Sequence, residues 1–165
     1  MARAGRPNKT DPRFDDVDWL IRQHDNEGVK KILSETGIEA TDSYLRTTLI
    51  LAALHKNVGL LRWLIENGAN VNHQDRNGYS ALHFAAQEKT QEAAKLLLDN
   101  GASLELADIH GNTPIWTAIF SAKGELELVK LYVQRGANLD VLNKYQKTPR
   151  QLAGTFYGNA IDSLL

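Results

Sequence analysis

The sequence predicts an all-α solenoid of about five helix-turn-helix units with projecting hairpin loops. Three observations lead there. The segment Asn77-Gly78-Tyr79-Ser80-Ala81-Leu82-His83-Phe84-Ala85-Ala86 recurs, altered, as His110-Gly111-Asn112-Thr113-Pro114-Ile115-Trp116-Thr117-Ala118-Ile119, a shift of 33 residues. The same step taken backwards carries Leu82 to Leu49, Ala85 to Ala52 and Gly101 to Gly68. Apolar segments with helical spacing also come in pairs, and the first member of each pair is only about two turns long. Such helices are marginal alone, because nucleation is costly below ~12 residues, so they must be held by stacking on their neighbours. Gly- and Asn-rich turn signals punctuate the pairs at matching positions. A period near 33 describes small units in a stack, not one globule with one pocket. That moves the functional question from catalysis to surface recognition.

Along the chain, residues 1–13 carry Arg3, Arg6, Lys9 and Arg13, two prolines and no apolar periodicity, and read as a flexible basic tail. Ala4-Gly5-Arg6-Pro7 resembles a minor-groove hook, but its flanks lack the dense basic cluster such hooks use, so no nucleic-acid contact is expected. The repeat domain is expected over 14–165, in units of roughly 14–41, 42–74, 75–107, 108–142 and 143–165. Its helix pairs are expected at 17–24 with 26–36, 47–54 with 58–67, 80–87 with 90–100, 113–121 with 125–135, and 148–156 with 159–165. Gly68, Gly101 and Gly136 each follow an apolar helix and precede Ala, as suits a helix-ending residue with positive φ. Ser80, Thr113 and Thr148 sit where a hydroxyl can cap the first helix of a unit. Pro114 and Pro149 then fall at the first helical position, where the missing N–H costs nothing. The polar stretches 71–78, 104–111 and 139–146 each end in a turn signal and predict the projecting loops.

Composition narrows the classes further. The 165 residues are 42% hydrophobic and 24% charged, within the globular range. A formal net charge of −1 provides no global attraction to nucleic acid or to anionic membrane. With no cysteine there is no disulfide, thiolate nucleophile or cysteine-based metal site, and the composition suits a reducing cytoplasm. The longest apolar run, 49–54, is far short of the ~20 residues that span a bilayer. The basic amino terminus is followed by no apolar stretch, so no secretory signal is expected.

The repeated residues resemble the ankyrin repeat, whose pattern runs Asp-x-x-Gly-x-Thr-Pro-Leu-His-x-Ala-Ala, then Gly-x-x-Glu-x-Val-x-x-Leu-Leu-x-x-Gly-Ala. The third unit matches at Asp75, Gly78, Leu82, His83, Ala85, Ala86, Glu92, Leu97, Gly101 and Ala102. The fourth matches at Asp108, Gly111, Thr113, Pro114, Ala118, Gly124, Glu127, Val129 and Gly136. The second keeps Asp42, Leu49, Ala52, Ala53, Gly68 and Ala69, but has Leu45 where Gly belongs and Thr48 where Pro belongs. The first retains only the second-helix phrase around Asp25, Glu27, Gly28, Val29 and Leu33, as expected of a terminal unit with one face to water. Gly101 and Gly136 are 35 residues apart, so two extra residues near 121–123 are expected to lengthen the inter-helix loop. The fifth unit stops mid-pattern at Leu164-Leu165, which predicts an incomplete cap.

No residue set carries recognisable chemistry. His83 occupies the motif His, where the imidazole is expected to bond turn backbone. His73 and His110 fall on adjacent loops without a carboxylate-plus-His spacing to support a metal. His24 and His55 are expected to stand alone in solvent. Asp75 and Asp108 at loop bases suit turn hydrogen bonds, and Glu92 and Glu127 suit helix N-terminal dipoles. No phosphate-binding or nucleophile-elbow motif occurs. The chain therefore reads as non-enzymatic, without cofactor or metal. Trp63 and Trp116 are expected in the core, while Trp19 either seals the first unit or stays partly exposed.

The resemblance implies a ligand face made of loop tips and the exposed side of the first helices. Carried over by position, that face comprises Tyr44, Arg46, Leu54 and His55 in the second unit, and Gln74, Arg76, Asn77, Tyr79, Gln87 and Glu88 in the third. In the fourth it comprises Ile109, His110, Asn112, Phe120 and Ser121, and in the fifth Leu142, Lys144, Tyr145 and Lys147. Tyr44, Tyr79, Phe120 and Tyr145 are residue types that dominate interface energy. Arg46, Arg76, Lys144 and Lys147, with Glu88 nearly the sole counter-charge, imply a protein partner with an acidic patch. Small stand-alone ankyrin proteins include bacterial immunity proteins that neutralise a toxin, as well as inhibitors and scaffolds. The expectation is thus a cytoplasmic protein, monomeric before binding, that inhibits one partner by steric occlusion, with a scaffold or adaptor as the alternative.

Overall fold

The computed structural model describes residues 12–158. Among these residues a 3-10 turn at Pro12–Asp16 is followed by nine helices: α1 (Val17–Arg22), α2 (Asn26–Thr36), α3 (Thr48–Leu54), α4 (Val58–Glu66), α5 (Ala81–Gln87), α6 (Gln91–Asp99), α7 (Pro114–Ser121), α8 (Glu127–Gln134) and α9 (Pro149–Tyr157). Among the described residues there is no strand, only isolated bridges between Thr41 and Thr47 and between Gln74 and Ser80 at loop bases. The final expected helix, 159–165, lies outside the described residues, as does most of the tail. Arg13, assigned to that tail, sits in the 3-10 turn with its guanidinium 2.9 Å from Glu35, and Phe14 beside it is buried.

The odd-numbered helices stack on one another in an inner row, and α4, α6 and α8 stack behind them. Small residues permit the close inner packing: Ala52, Ala53, Ala85, Ala86 and Ala118 are buried where successive inner helices meet. The outer helices are amphipathic and bury one stripe each, Leu60, Leu61 and Leu64 on α4 and Leu128, Val129 and Tyr132 on α8. Apolar area withdrawn from water in this way, at roughly 25 cal/mol per Å², is what offsets the ordering entropy of helices too short to persist alone.

The helix ends follow the sequence chemistry with one exception. Gly68, Gly101 and Gly136 take φ of 84°, 84° and 91°. Thr47 caps α3 and Thr148 caps α9, the latter reciprocally with Gln151. Ser80 is capped through His83, as described below. Thr113 does not cap α7 by its side chain, and its hydroxyl is buried without a partner. Trp116 stands where the third unit has His83, so no acceptor is at hand for that hydroxyl.

Two other expectations are corrected. Trp63 is only partly buried, because the stripe of α4 that faces the core runs through Leu60, Leu61 and Leu64, and Trp63 sits on its flank beneath the Lys30 ammonium, 5.3 Å from the ring. Trp116 is likewise partly exposed, and Trp19 is 61% exposed. The two extra residues of the fourth unit do lengthen the loop, but α7 also runs one residue longer than α5, Ala122 is buried, and Lys123 takes the positive φ that turns the chain.

Tyr132 links the rows across units. Its hydroxyl, fully buried, donates to the Leu82 carbonyl at 2.9 Å, and burial pushes its pKa far upward. Tyr132→Phe is expected to cost about 1–1.5 kcal/mol, the net worth of one buried hydrogen bond, read as a lower urea midpoint with unchanged slope.

Candidate recognition face

Each hairpin loop is built on one side chain. Asp42 Oδ1 accepts from the amides of Tyr44 and Arg46 at 2.8 and 2.9 Å. Asp75 does the same for Asn77 and Tyr79, Asp108 for His110 and Asn112, and Asn143 for Tyr145 and Lys147, all at 2.8–3.0 Å. The Asp or Asn side chain thus replaces a backbone partner and closes the turn. Successive loops are then laced together by one bond per step: Arg76 N–H to Tyr44 O, Ile109 N–H to Asn77 O and Lys144 N–H to His110 O, each 2.9 Å. The tips are therefore held in register, and a ligand meeting them orders little further backbone.

His83 is a structural member of this frame, as expected. Its Nδ1 accepts from the Ser80 amide at 3.1 Å and lies 2.9 Å from the Ser80 hydroxyl. Its Nε2 donates to Asn112 O at 3.2 Å, which fixes the neutral tautomer and ties the third unit to the next loop. Burial lowers its pKa to about 4, opposed by the Asn112 bond and the Asp108 charge.

The expected face residues separate into groups. Tyr44, Phe120 and Tyr145 are 55%, 64% and 65% exposed, and Ile109 and Leu142 are about half exposed. Tyr145 stacks on His110, with its hydroxyl 3.1 Å from Nδ1. Tyr79 is different: its ring leans on His83 and Phe84 at 4.9 and 5.3 Å, and burial raises its pKa, partly offset by a hydrogen bond with Thr117. It forms a wall of the face more than a free anchor. Together with Asn77, Gln87, Ile109 and His110 it lines one shallow cleft, and with Asn112, Trp116, Thr117, Phe120 and Ser121 a second. Gln74 braces the loops by donating to Gly78 O and Ala107 O.

The charged members are unequal. Arg46 is tied to Asp42 at 2.6 Å, its guanidinium 5.1 Å from the Tyr44 ring. Arg76 donates to Ser43 O and lies 6.0 Å from the Tyr44 ring centroid. Glu88 meets Lys56 at 3.4 Å. His55 does not stand alone: its Nε2 is 2.7 Å from Asp18, which also holds Arg22, so it braces the first unit against the second. The ammonium groups of Lys144 and Lys147 have no partner among the described residues. The positive surplus is thereby concentrated at the fifth unit.

His73 bonds Leu45 O and His110 bonds Tyr145, so the two are engaged separately. Among the described residues no group of three or more His, Asp or Glu is placed to hold a metal. Phe156 and Trp116 were not legible as face residues. The repeat register sets Phe156 opposite Ser121, so the positional rule carried one helix further finds it; Trp116 is marked by replacing the motif His with a ring that cannot cap.

Comparison with known proteins agrees with this architecture. A family model described as ankyrin repeats (3 copies) matches residues 18–108, and one described as ankyrin repeat matches 110–144. An ankyrin repeat protein of Variola virus is 29% identical over 73% of the chain and 21% of its own length. A putative ankyrin repeat protein of Acanthamoeba polyphaga mimivirus is 32% identical over 73% of the chain and 16% of its own. A putative ankyrin repeat protein of Rickettsia bellii is 38% identical over 54% of the chain and 28% of its own. The chain spans well under a third of the length of these relatives.

Proposed function

The chain belongs to the ankyrin-repeat family, a family of protein-interaction modules, and from that premise we propose that it binds one protein partner through the loop-tip and inner-helix face and inhibits it by steric occlusion. The observation that carries this reading is the exposure of Tyr44, Phe120 and Tyr145 on one pinned frame. Large aromatics held in water at a fixed geometry are the residues that supply interface energy at low ordering cost. Toxin neutralisation is one form of this reading and rests on the resemblance to small ankyrin immunity proteins alone. The protein is proposed to act in the cytoplasm, as a monomer until it meets its partner, without catalysis of its own.

Affinity capture from the native source, followed by mass spectrometry, identifies the partner. Phe120→Ala combined with Tyr145→Ala is then expected to weaken binding at least 10-fold, about 1.4 kcal/mol, with an unchanged unfolding midpoint. Unchanged affinity in a calorimetric titration sinks the proposed face. Inhibition and scaffolding separate in one assay: stoichiometric addition either silences the partner's activity or leaves it intact while a third protein binds alongside.

A further inference from the structure

Resting on the protein-binding reading, we propose that the cleft between α7 and α9, floored by Trp116 and rimmed by Lys147, receives a carboxylate side chain that lies within three residues of a bulky apolar one in the partner. Trp116 and His83 are 33 residues apart at the same step of their units, yet their fates differ. His83 is spent on Ser80 and Asn112, whereas the Trp116 ring is only partly covered and lines clefts on both its sides. Toward the fifth unit the cleft is completed by Lys147, Gln151, Leu152 and Thr155.

Among the described residues that lining contains one cation and no carboxylate. The surrounding acids are already committed: Asp140 to Arg150 at 2.8 and 3.0 Å, Asp108 to its loop amides, Glu88 to Lys56. An ammonium without a counter-charge among the described residues, beside an apolar floor that excludes water on one side, attracts an incoming carboxylate more strongly than a fully solvated rim charge does. Phe120 and Phe156, 64% and 50% exposed and edge to face at 6.1 Å, extend the apolar surface beside it and supply the seat for the neighbouring side chain. Aromatics beside lysine could also stack bases and pair phosphates. Lys144 and Lys147 are a pair, not a track, and the formal net charge is −1, so a nucleic-acid backbone finds no continuous path here.

The test is selection of a random twelve-residue phage-displayed peptide library against the full chain, with enriched peptides titrated by fluorescence anisotropy. Asp or Glu within three residues of Trp, Phe or Leu is expected to be enriched. Those peptides should bind Lys147→Glu and Trp116→Ala at least 10-fold more weakly, and Lys95→Glu, on the far side of α6, unchanged. Trp116→His, which restores the residue of the third unit, replaces Trp116→Ala should the latter melt early. Peptides without carboxylates, or insensitive to Lys147→Glu, overturn the proposal, as does a selection that enriches nothing. Loss of binding at Tyr44→Ala but not at Lys147→Glu overturns this cleft and leaves the recognition face standing. Loss only at Lys95→Glu overturns both. Tighter binding of a twelve-nucleotide oligothymidylate than of any peptide overturns the proposal in favour of nucleic acid.

Discussion

Between pH 7 and pH 4 the protein is expected to lose about 3 kcal/mol of folding stability through His83 alone, a loss that His83→Gln does not share. The sign follows from which state binds the proton. In the unfolded chain the imidazole titrates near its ordinary value of about 6.5; in the fold its pKa is lowered to about 4, chiefly by burial. Between those values the unfolded state holds a proton that the folded state does not, so stability falls as pH falls, by about 1.4 kcal/mol per pH unit. The contribution is fully present above pH 6.5, declines through the interval, and levels off below pH 4. Geometry gives the same direction. A proton on Nδ1 would place a donor against the Ser80 amide, 3.1 Å away, which is itself a donor. Urea unfolding of the wild type and of His83→Gln at half-unit steps of pH gives the difference curve. The variant starts less stable at pH 7, having lost the imidazole packing, but falls less steeply. Parallel curves, or an NMR titration of the His83 ring with a midpoint near 6.5, would contradict the assignment.

The frame was legible because its requirements are local. A helix end needs positive φ two residues past its last turn, a loop base needs an acceptor two and four residues before the amides it serves, and a two-turn helix needs a neighbour. These offsets repeat, so Asp42, Asp75 and Asp108 could be matched by position and the loop tips by the resemblance, whereas Asn143, an Asn where the pattern has Asp, emerged as a loop base only in the structure. What was not legible depends on pairs far apart in the chain. His55 reads as solitary until Asp18, 37 residues away, is folded against it. Tyr132 reads as one more apolar position until its hydroxyl meets a carbonyl 50 residues away. Tyr79 reads as an exposed turn tyrosine, and only the packing of His83 and Phe84 beside it shows that it is half covered. The positive charge of the face was overcounted for the same reason, since Arg46 has a carboxylate partner within its own loop. Of the expected face residues, Tyr145, Phe120 and Lys147 stay exposed in the fold, and their positions in the repeat were enough to find them.

Gly78→Ala is expected to cost about 3 kcal/mol, and Gly101→Ala only about 1, although the two glycines have similar φ, 77° and 84°. Both substitutions pay the left-handed penalty of an L-residue, roughly 1–2 kcal/mol, less a few tenths recovered from a stiffer unfolded chain. The difference lies in what the new methyl meets. At Gly101 nothing stands within 4 Å, whereas at Gly78 it would lie 2.8 Å from Asp108 Cα and 3.1 Å from Ile109 N. Those atoms are backbone, held by the Ile109 N–H to Asn77 O bond, so relief requires opening the loop ladder between the third and fourth units. Gly111 meets the next loop less tightly, with Lys144 N at 3.0 Å, and Gly111→Ala should fall between the two. At the matching place in the fifth unit Gln146 has φ 57° and is exposed, and no further loop packs beyond it among the described residues. A side chain is therefore tolerated there at the cost of backbone strain alone, and Gln146→Gly should gain about 0.5–1 kcal/mol. Urea midpoints should accordingly rank Gln146→Gly above wild type, then Gly101→Ala, Gly111→Ala and Gly78→Ala. Equal losses at Gly78 and Gly101 would mean that the loops part without cost, and that the recognition face is not the rigid surface on which its proposed function depends.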